Sequence, residues 1–237
     1  MTDLRTAFRA LRKTPGFTLV AILTIAIGIA ANTALFTVFD RLILNPVSLP
    51  RPSSLVALWS NNPSVNFVAP AVSWPRFQLI QREAKSFSSL GLSAFDNFTL
   101  TGNGDPQQLQ GLRVSPGFFA TLGITPVQGR SFTAEEDLPN GPNVIVVSHE
   151  LWQTQFGGRA TLVGETVMLN GLSWQVIGIM PPRLTNPFSA TQVFAPRVFE
   201  VNGLTPQQVQ NGASYAQPIA RLKPGVTLEQ AQEELNA

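Results

Sequence analysis

The sequence predicts an α+β fold: one N-terminal transmembrane helix followed by a mixed α/β extracytoplasmic domain. Three observations carry this reading. Phe17 to Phe39 runs for 23 residues without a charged side chain. Beyond it, β-branched runs and one strong hairpin motif alternate with short capped helices. Those strands are linked by turns and hairpins rather than by regular βαβ units, which separates the pattern from a doubly wound α/β sheet.

At about 1.5 Å per residue the uncharged run is roughly 34 Å long, enough for a hydrocarbon core of about 30 Å. Arg5, Arg9, Arg12 and Lys13 precede it with only Asp3 against them. The positive-inside bias therefore holds the N-terminus in the cytoplasm and places the remainder outside. A cleaved export signal is the rival reading, on the basic start, the apolar stretch Phe17 to Ile27 and the small residues Gly28 and Ala30. Apolar character continues through Leu35, Phe36, Val38 and Phe39, past any such cut, which favours a retained anchor.

Within the run, Ala26, Ala30 and Ala34 recur every fourth residue with Gly28 nearby, and Asn32, Thr33 and Thr37 add hydrogen-bonding groups. Small-residue stripes let helices approach closely in lipid, although Ala and Thr are tolerated in any anchor. Asn32 tips the balance toward packing on further membrane helices, because its amide is better satisfied there than in hydrocarbon.

Three segments follow: 1–14 as an amphipathic interfacial helix on the cytoplasmic side, 15–45 as the membrane helix, and 46–237 as the exported domain. In the first, Leu4, Phe8 and Leu11 share one face and Arg5, Arg9 and Arg12 the other. Leu42, Ile43 and Leu44 extend the membrane helix until Asn45-Pro46 stops it. In the exported domain, Leu55 to Trp59 reads as a strand, and Ser73 caps a helix reaching about Lys85 with Phe77, Ile80 and Ala84 inward. Phe87 to Leu100 and Gln107 to Val114 read as strands around a turn at Gly102 to Gly104. Ser115-Pro116 opens a short helix carrying Phe118, Phe119 and Leu122, and Thr133 to Glu136 is a capping-box pattern.

Asn143 to Val147 has the unbroken β-branched character of a strand buried on both faces, and Ser148 caps the helix that ends at Gly157-Gly158. Val167 to Leu169, Asn170-Gly171 and Trp174 to Met180 make a hairpin with a type I′ turn. Gln192 to Ala195 and Tyr215 to Leu222 are further strands. Thr227 and Gln230 cap a last helix whose apolar face, Leu228, Ala231 and Leu235, breaks off in mid-pattern as in a truncated chain.

Composition narrows the chemistry. Of 16 basic and 14 acidic residues, four basic and one acidic lie in the first 13 positions, so the rest carries 12 against 13. The exported part offers no basic patch for nucleic acid. With no cysteine and one histidine, His149, no thiol chemistry and no usual metal site can be assembled, and His149 suits packing at a helix start. Glu135, Glu136 and Asp137 match a solvated helix start better than a catalytic pair. No P-loop or G-x-S-x-G motif occurs, and the four tryptophans are scattered, as in core or rim packing. No catalytic, cofactor-binding or metal residue is therefore assigned, and the chain does not read as an enzyme.

LRTAFRALRKTPGFTLVAILTIAIGIAANTALFTVFDRLIL, VVSHELWQTQFGG, VGETVMLNGLSWQVIGIMPP and ARLKPGVTLEQAQEEL resemble the N-terminal membrane helix and MacB-like periplasmic core domain of ABC transporter permeases. The likeness is to large duplicated MacB/FtsX-type permeases of soil bacteria. It implies a bacterial inner-membrane permease subunit of an exporter, working with a separate cytoplasmic P-loop ATPase subunit. It also implies an exported region of two lobes, one formed by two segments flanking the other, moved mechanically by the membrane helices. Further membrane helices, a second copy and a periplasmic partner are the companions it implies, and this sequence departs from it by lacking later membrane helices. Two other readings are a membrane-anchored binding or sensor module without transport, and an anchored hydrolase relying on His149 and isolated carboxylates.

Overall fold

The computed structural model describes residues 15–39, 49–62, 67–102, 104–182, 188 and 190–236. The interfacial helix expected over 1–14, with Arg5, Arg9, Arg12 and Lys13, and the extension through Leu42, Ile43 and Leu44 lie outside the described residues. The chain divides into two units, 1–48 and 49–237.

The first unit contains helix α1, Pro15–Phe39, 25 residues long, with no acid in its first turn and no base in its last. Leu19, Val20, Ile22, Leu23, Ile25, Ile27 and Ile29 are all exposed, so apolar side chains stand around the helix rather than on one stripe. A helix apolar on every side belongs in a protein interior or in lipid. Side chains at 17, 21, 31 and 34–39 lie outside the description, and among the described residues no helix is long and apolar enough to cross a membrane.

The second unit runs β1 (Leu55–Ala57), β2 (Ser60–Asn62), β3 (Phe67–Ala69), β4 (Val72–Ser73), α2 (Trp74–Glu83), β5 (Phe87–Thr101), β6 (Gln107–Val114), α3 (Phe118–Leu122) and β7 (Gln128–Gly129). It continues with β8 (Val144–Val147), α4 (His149–Phe156), β9 (Thr166–Leu169), β10 (Leu172–Ile179), β11 (Val193–Ala195), α5 (Pro206–Gln210), β12 (Ser214–Leu222) and α6 (Leu228–Asn236). Local chemistry sets most boundaries. The Ser73 hydroxyl accepts from Arg76 N to start α2, and Ser148 accepts from Leu151 N at 3.1 Å to start α4. Gly157, at φ 62°, ends α4. Asn170 and Gly171, at φ 53° and 75°, make the β9–β10 turn. Thr227 and Gln230 each accept from the other's backbone N–H to start α6.

Three expectations are corrected. Ser115 does not cap α3; its hydroxyl accepts from Leu92 N at 3.0 Å and ties the strand end to β5. The Thr133 box forms only in part: Thr133 N donates to Glu136 at 2.9 Å, over a single 3-10 turn at Glu135–Asp137. The strands are also not joined by hairpins alone, because β8 pairs parallel with β10 and β11 parallel with β6. The doubly buried run Val144 to Val147 followed at once by a capped helix is the pattern of a parallel crossover, which a hairpin cannot supply.

Ten strands share one sheet in the order β1-β12-β5-β6-β11-β8-β10-β7, with β4 on β12 and β9 on both β10 and β5. The second pairing of β9 closes β5, β6, β11, β8, β10 and β9 into a ring. Phe98, Leu109, Ile145, Leu169, Trp174 and Val193, one from each of these strands, belong to a single apolar cluster with Leu151 and Phe156 of α4. A second cluster joins Phe118, Phe119 and Leu122 of α3 to Val144, Val146 and Phe194. Buried members of these two come from residues 98–195, whereas those of the other two come from 58–94 and 198–231. Strand β5 serves both sets, with Phe87, Leu92 and Ala94 on one side of its length and Phe98 and Leu100 on the other.

Candidate functional site

The change of core falls between Ala94 and Phe98 on β5 and between Ala195 and Val198 after β11. Those two gaps contain Asp96 and Arg197, 5 % and 3 % exposed. Strand register builds the site. Asp96 stands opposite Gly111, and Arg113, two residues along β6, stands opposite Ala94. Residues two apart share a face of the sheet, so carboxylate and guanidinium meet diagonally over a position with no side chain.

Arg113 Nε donates to Asp96 Oδ2 at 2.7 Å, with both side chains out of solvent. Asp96 Oδ1 accepts from Asn97 N at 2.9 Å and from the Asn202 amide. Arg113 Nη1 donates to Pro196 O at 3.1 Å and lies 3.6 Å from Glu200. Arg197, held at φ 61°, donates from Nε to Glu200 at 2.7 Å, from Nη2 to Asn143 Oδ1 at 2.7 Å, and from Nη1 to Gly141 O and Pro142 O. Its backbone N–H donates to Asp137 Oδ1 at 2.6 Å. Burial is the main influence on Asp137 and pushes its carboxyl up to about 6.

Trp174 joins the two arginines: the guanidinium carbons of Arg113 and Arg197 lie 6.0 Å and 5.8 Å from its ring. Among the described residues its buried indole N–H has no hydrogen-bond partner. Each arginine thus meets carboxylates, carbonyls and an aromatic face, and each element entering the seam is bonded to another. Such an arrangement orders a joint.

The acidic cluster is a solvated helix start only at Glu135, which is exposed at the head of the 3-10 turn. Glu136 is 5 % exposed and pairs with Arg130 at 2.6 Å, and Asp137 belongs to the seam. Burial alone would raise the Glu136 carboxyl, but the bonds from Arg130 and Thr133 N and the Arg130 charge hold it below the ordinary carboxylate value. His149 stacks edge-on against Trp152, 5.3 Å between ring centroids. Among the described residues no group of three or more His, Cys, Asp or Glu could hold a metal ion.

Ala26, Gly28, Ala30 and Asn32 are exposed on α1, and the side chain of Ala34 lies outside the description. None belongs to the seam. Sequence reading missed Asp96, Arg113, Arg197 and Asn202. One signal was present: Asp96 alternates in phase with Ala94, Phe98 and Leu100, and Arg113 with Leu109, so an acid and a base occupy apolar-phase positions on neighbouring strands. Nothing local marked Arg197 or Asn202.

A family model described as the MacB-like periplasmic core domain matches residues 18–237. The periplasmic region of MacB from Actinobacillus actinomycetemcomitans is similar in fold, with a TM-score of 0.59 at 14 % identity over 77 % of this chain and 81 % of that one. The extracellular domain of the noncanonic ABC-type transporter YknZ from Gram-positive bacteria gives a TM-score of 0.55 at 14 % identity, covering 76 % of this chain and 88 % of that one. The chain matches no curated protein by sequence.

Proposed function

Since this chain belongs to the MacB-like periplasmic core domain family, we propose that it serves in the permease subunit of an ABC-type exporter in a bacterial inner membrane. Helix α1 crosses the bilayer with its N-terminus in the cytoplasm, where Arg5, Arg9, Arg12 and Lys13 meet anionic headgroups. Ala26, Gly28, Ala30, Asn32 and Ala34 seat it against further helices of the permease or of a second copy. A separate cytoplasmic P-loop ATPase drives those helices, and the domain beyond residue 48 receives the movement. Its two lobes are the nested segment 98–195 and the flanking segments 58–94 and 198–231.

The observation that carries this reading is β5. One strand of 15 residues supplies both sets of core residues, and the Asp96, Arg113 and Arg197 network fastens the place where they meet. A movement entering one lobe is thereby passed to the other without chemistry in between.

Because the chain has no cysteine, topology can be read with single introduced thiols and an impermeant maleimide in intact cells. Gln153→Cys is expected to label and Ala7→Cys to stay protected until the membrane is opened. Labelling of Ala7→Cys from outside, or a soluble mature protein starting near Ala31, would overturn the anchor. In the assembled permease, Ala30→Leu with Asn32→Leu is expected to cut copurification with the other membrane helices several-fold, and intact assembly would remove the packing role.

A further inference from the structure

Arg221 on β12 is 6 % exposed, and among the described residues no ion pair involves it. All its partners are neutral. Nε donates to Thr121 O at 3.0 Å, Nη1 to Arg51 O at 3.0 Å and to Ser54 Oγ at 2.6 Å, and Nη2 to Pro50 O at 3.0 Å. Taking a cation out of water without an anion is costly, and burial lowers the pKa of this guanidinium, with the charge of Arg51 adding to the effect. What the cation gains is a planar fork of donors that fixes backbone oxygens from separate parts of the chain.

Three of the four acceptors lie close together in the chain. Pro50, Arg51 and Ser54 are the first residues of the folded unit, which begins at Leu49. Arg51 sits at φ 49°, a strained setting for a non-glycine residue, and its carbonyl also accepts from Ser54 N at 3.2 Å. Leu49 packs on the cluster that holds Phe118, Phe119 and Leu122. The ring of Pro50 lies against Gly123, where a Cβ would come within 3.2 Å of it. The strand that follows, β1, is the edge of the sheet and pairs with β12 over only three residues. Hydrogen bonds at a sheet edge pulled from one end open one after another, whereas bonds from a single guanidinium carry load together.

We propose that Arg221 is a force-bearing clasp: tension on the chain entering at residue 49 passes through Pro50, Arg51 and Ser54 to β12 and α3 at once, instead of peeling β1 from the sheet. The role of this clasp in transport rests on the mechanical reading above, but the clasp itself does not depend on an ATPase.

The test is single-molecule pulling on the full chain in bicelles, with handles at Ser48→Cys and Gln153→Cys in the cysteine-free background. The parent chain is expected to open in one main event with no earlier step. Arg221→Met is expected to add a separate step at lower force, lengthening the tether by about 2 to 3 nm as residues 49–57 come free at about 3.4 Å each. Ser54→Ala keeps the arginine and removes one acceptor, so it is expected to bring the same step forward by a smaller amount. It also serves as the readout should Arg221→Met fail to fold. Ile145→Ala, which weakens the separate cluster shared with α4, is expected to lower the main event without any early step. Absence of the early step in both clasp variants, or its appearance in Ile145→Ala, would overturn the proposal. Failure of an ATPase to couple would instead remove the permease reading and leave the clasp intact.

Discussion

Removing the Asp96 carboxylate with Asp96→Ala leaves Arg113 Nε and Asn97 N without their acceptor and the Asn202 amide with Asn97 O, in a site where the aspartate side chain is fully out of solvent and the arginine side chain 7 % exposed. Breaking one side of a buried pair typically costs about 3–5 kcal/mol, because the remaining charge is stranded. Arg113 retains Pro196 O, the neighbouring Glu200 and the rings of Phe98 and Trp174, which places the expected loss toward about 3 kcal/mol. Arg113→Met strands the carboxylate instead, with two donors left to it, and is expected to cost a similar amount. If the two act as a pair, the double variant costs less than the sum, with a coupling of roughly 1–3 kcal/mol. Urea unfolding of the full chain in detergent, followed by tryptophan fluorescence, gives all four stabilities, and buried Trp174 reports on the seam itself. Strict additivity of the two single losses would refute the account of the seam as one connected network.

Two further predictions concern the same region. Because burial lifts Asp137 to about 6 in the folded chain, from an ordinary value near 3.8, the folded state favours its protonated form. That contribution is complete below about pH 4 and is lost as pH rises through about 6, so Asp137→Asn is expected to gain stability relative to the parent at pH 7.5 and not at pH 4. The gain is roughly 1–3 kcal/mol, read as the difference between the two denaturation profiles, and a constant difference across pH would refute the burial cause. Gly111→Ala places a Cβ about 2.4 Å from the Phe98 ring, against the aromatic contact that covers the ion pair. Overpacking of this kind costs about 1–3 kcal/mol, and a melting temperature unchanged within error would show that Phe98 can step aside freely.

Much of the fold could be read from short stretches. Gln107–Val114 is a strand over the expected residues, Ser148 caps α4, Asn170-Gly171 turns the hairpin, and α6 starts at the expected Thr227 box. Where reading failed, the signal was either too short or outvoted. Strands β4 and β7 have two residues each, too few for any period. Helix α5 carries a complete Thr205 to Gln208 capping box, but Val209 is the one buried side chain in its five residues, too little to make an apolar period. Ser115-Pro116 precedes an apolar turn as a cap would, yet a strand amide 23 residues earlier competes for the Ser115 hydroxyl and wins.

Periodicity, caps and turn chemistry act between residues a few positions apart, so the sequence alone determined the uncharged α1 and the order of the longer strands and helices of the domain. Tertiary structure alone decided which strands not joined by a tight turn became neighbours. The ring closes through Leu100 against Leu169 and Thr101 against Met168, and β8 lies parallel to β10. The same holds for buried charge: Arg221 draws acceptors from positions 50, 51, 54 and 121, and Arg197 from 141, 142 and 143. A guanidinium binds whatever carbonyls the backbone path brings within 3 Å, and that path is set by the packing of the whole domain rather than by any repeat in the chain.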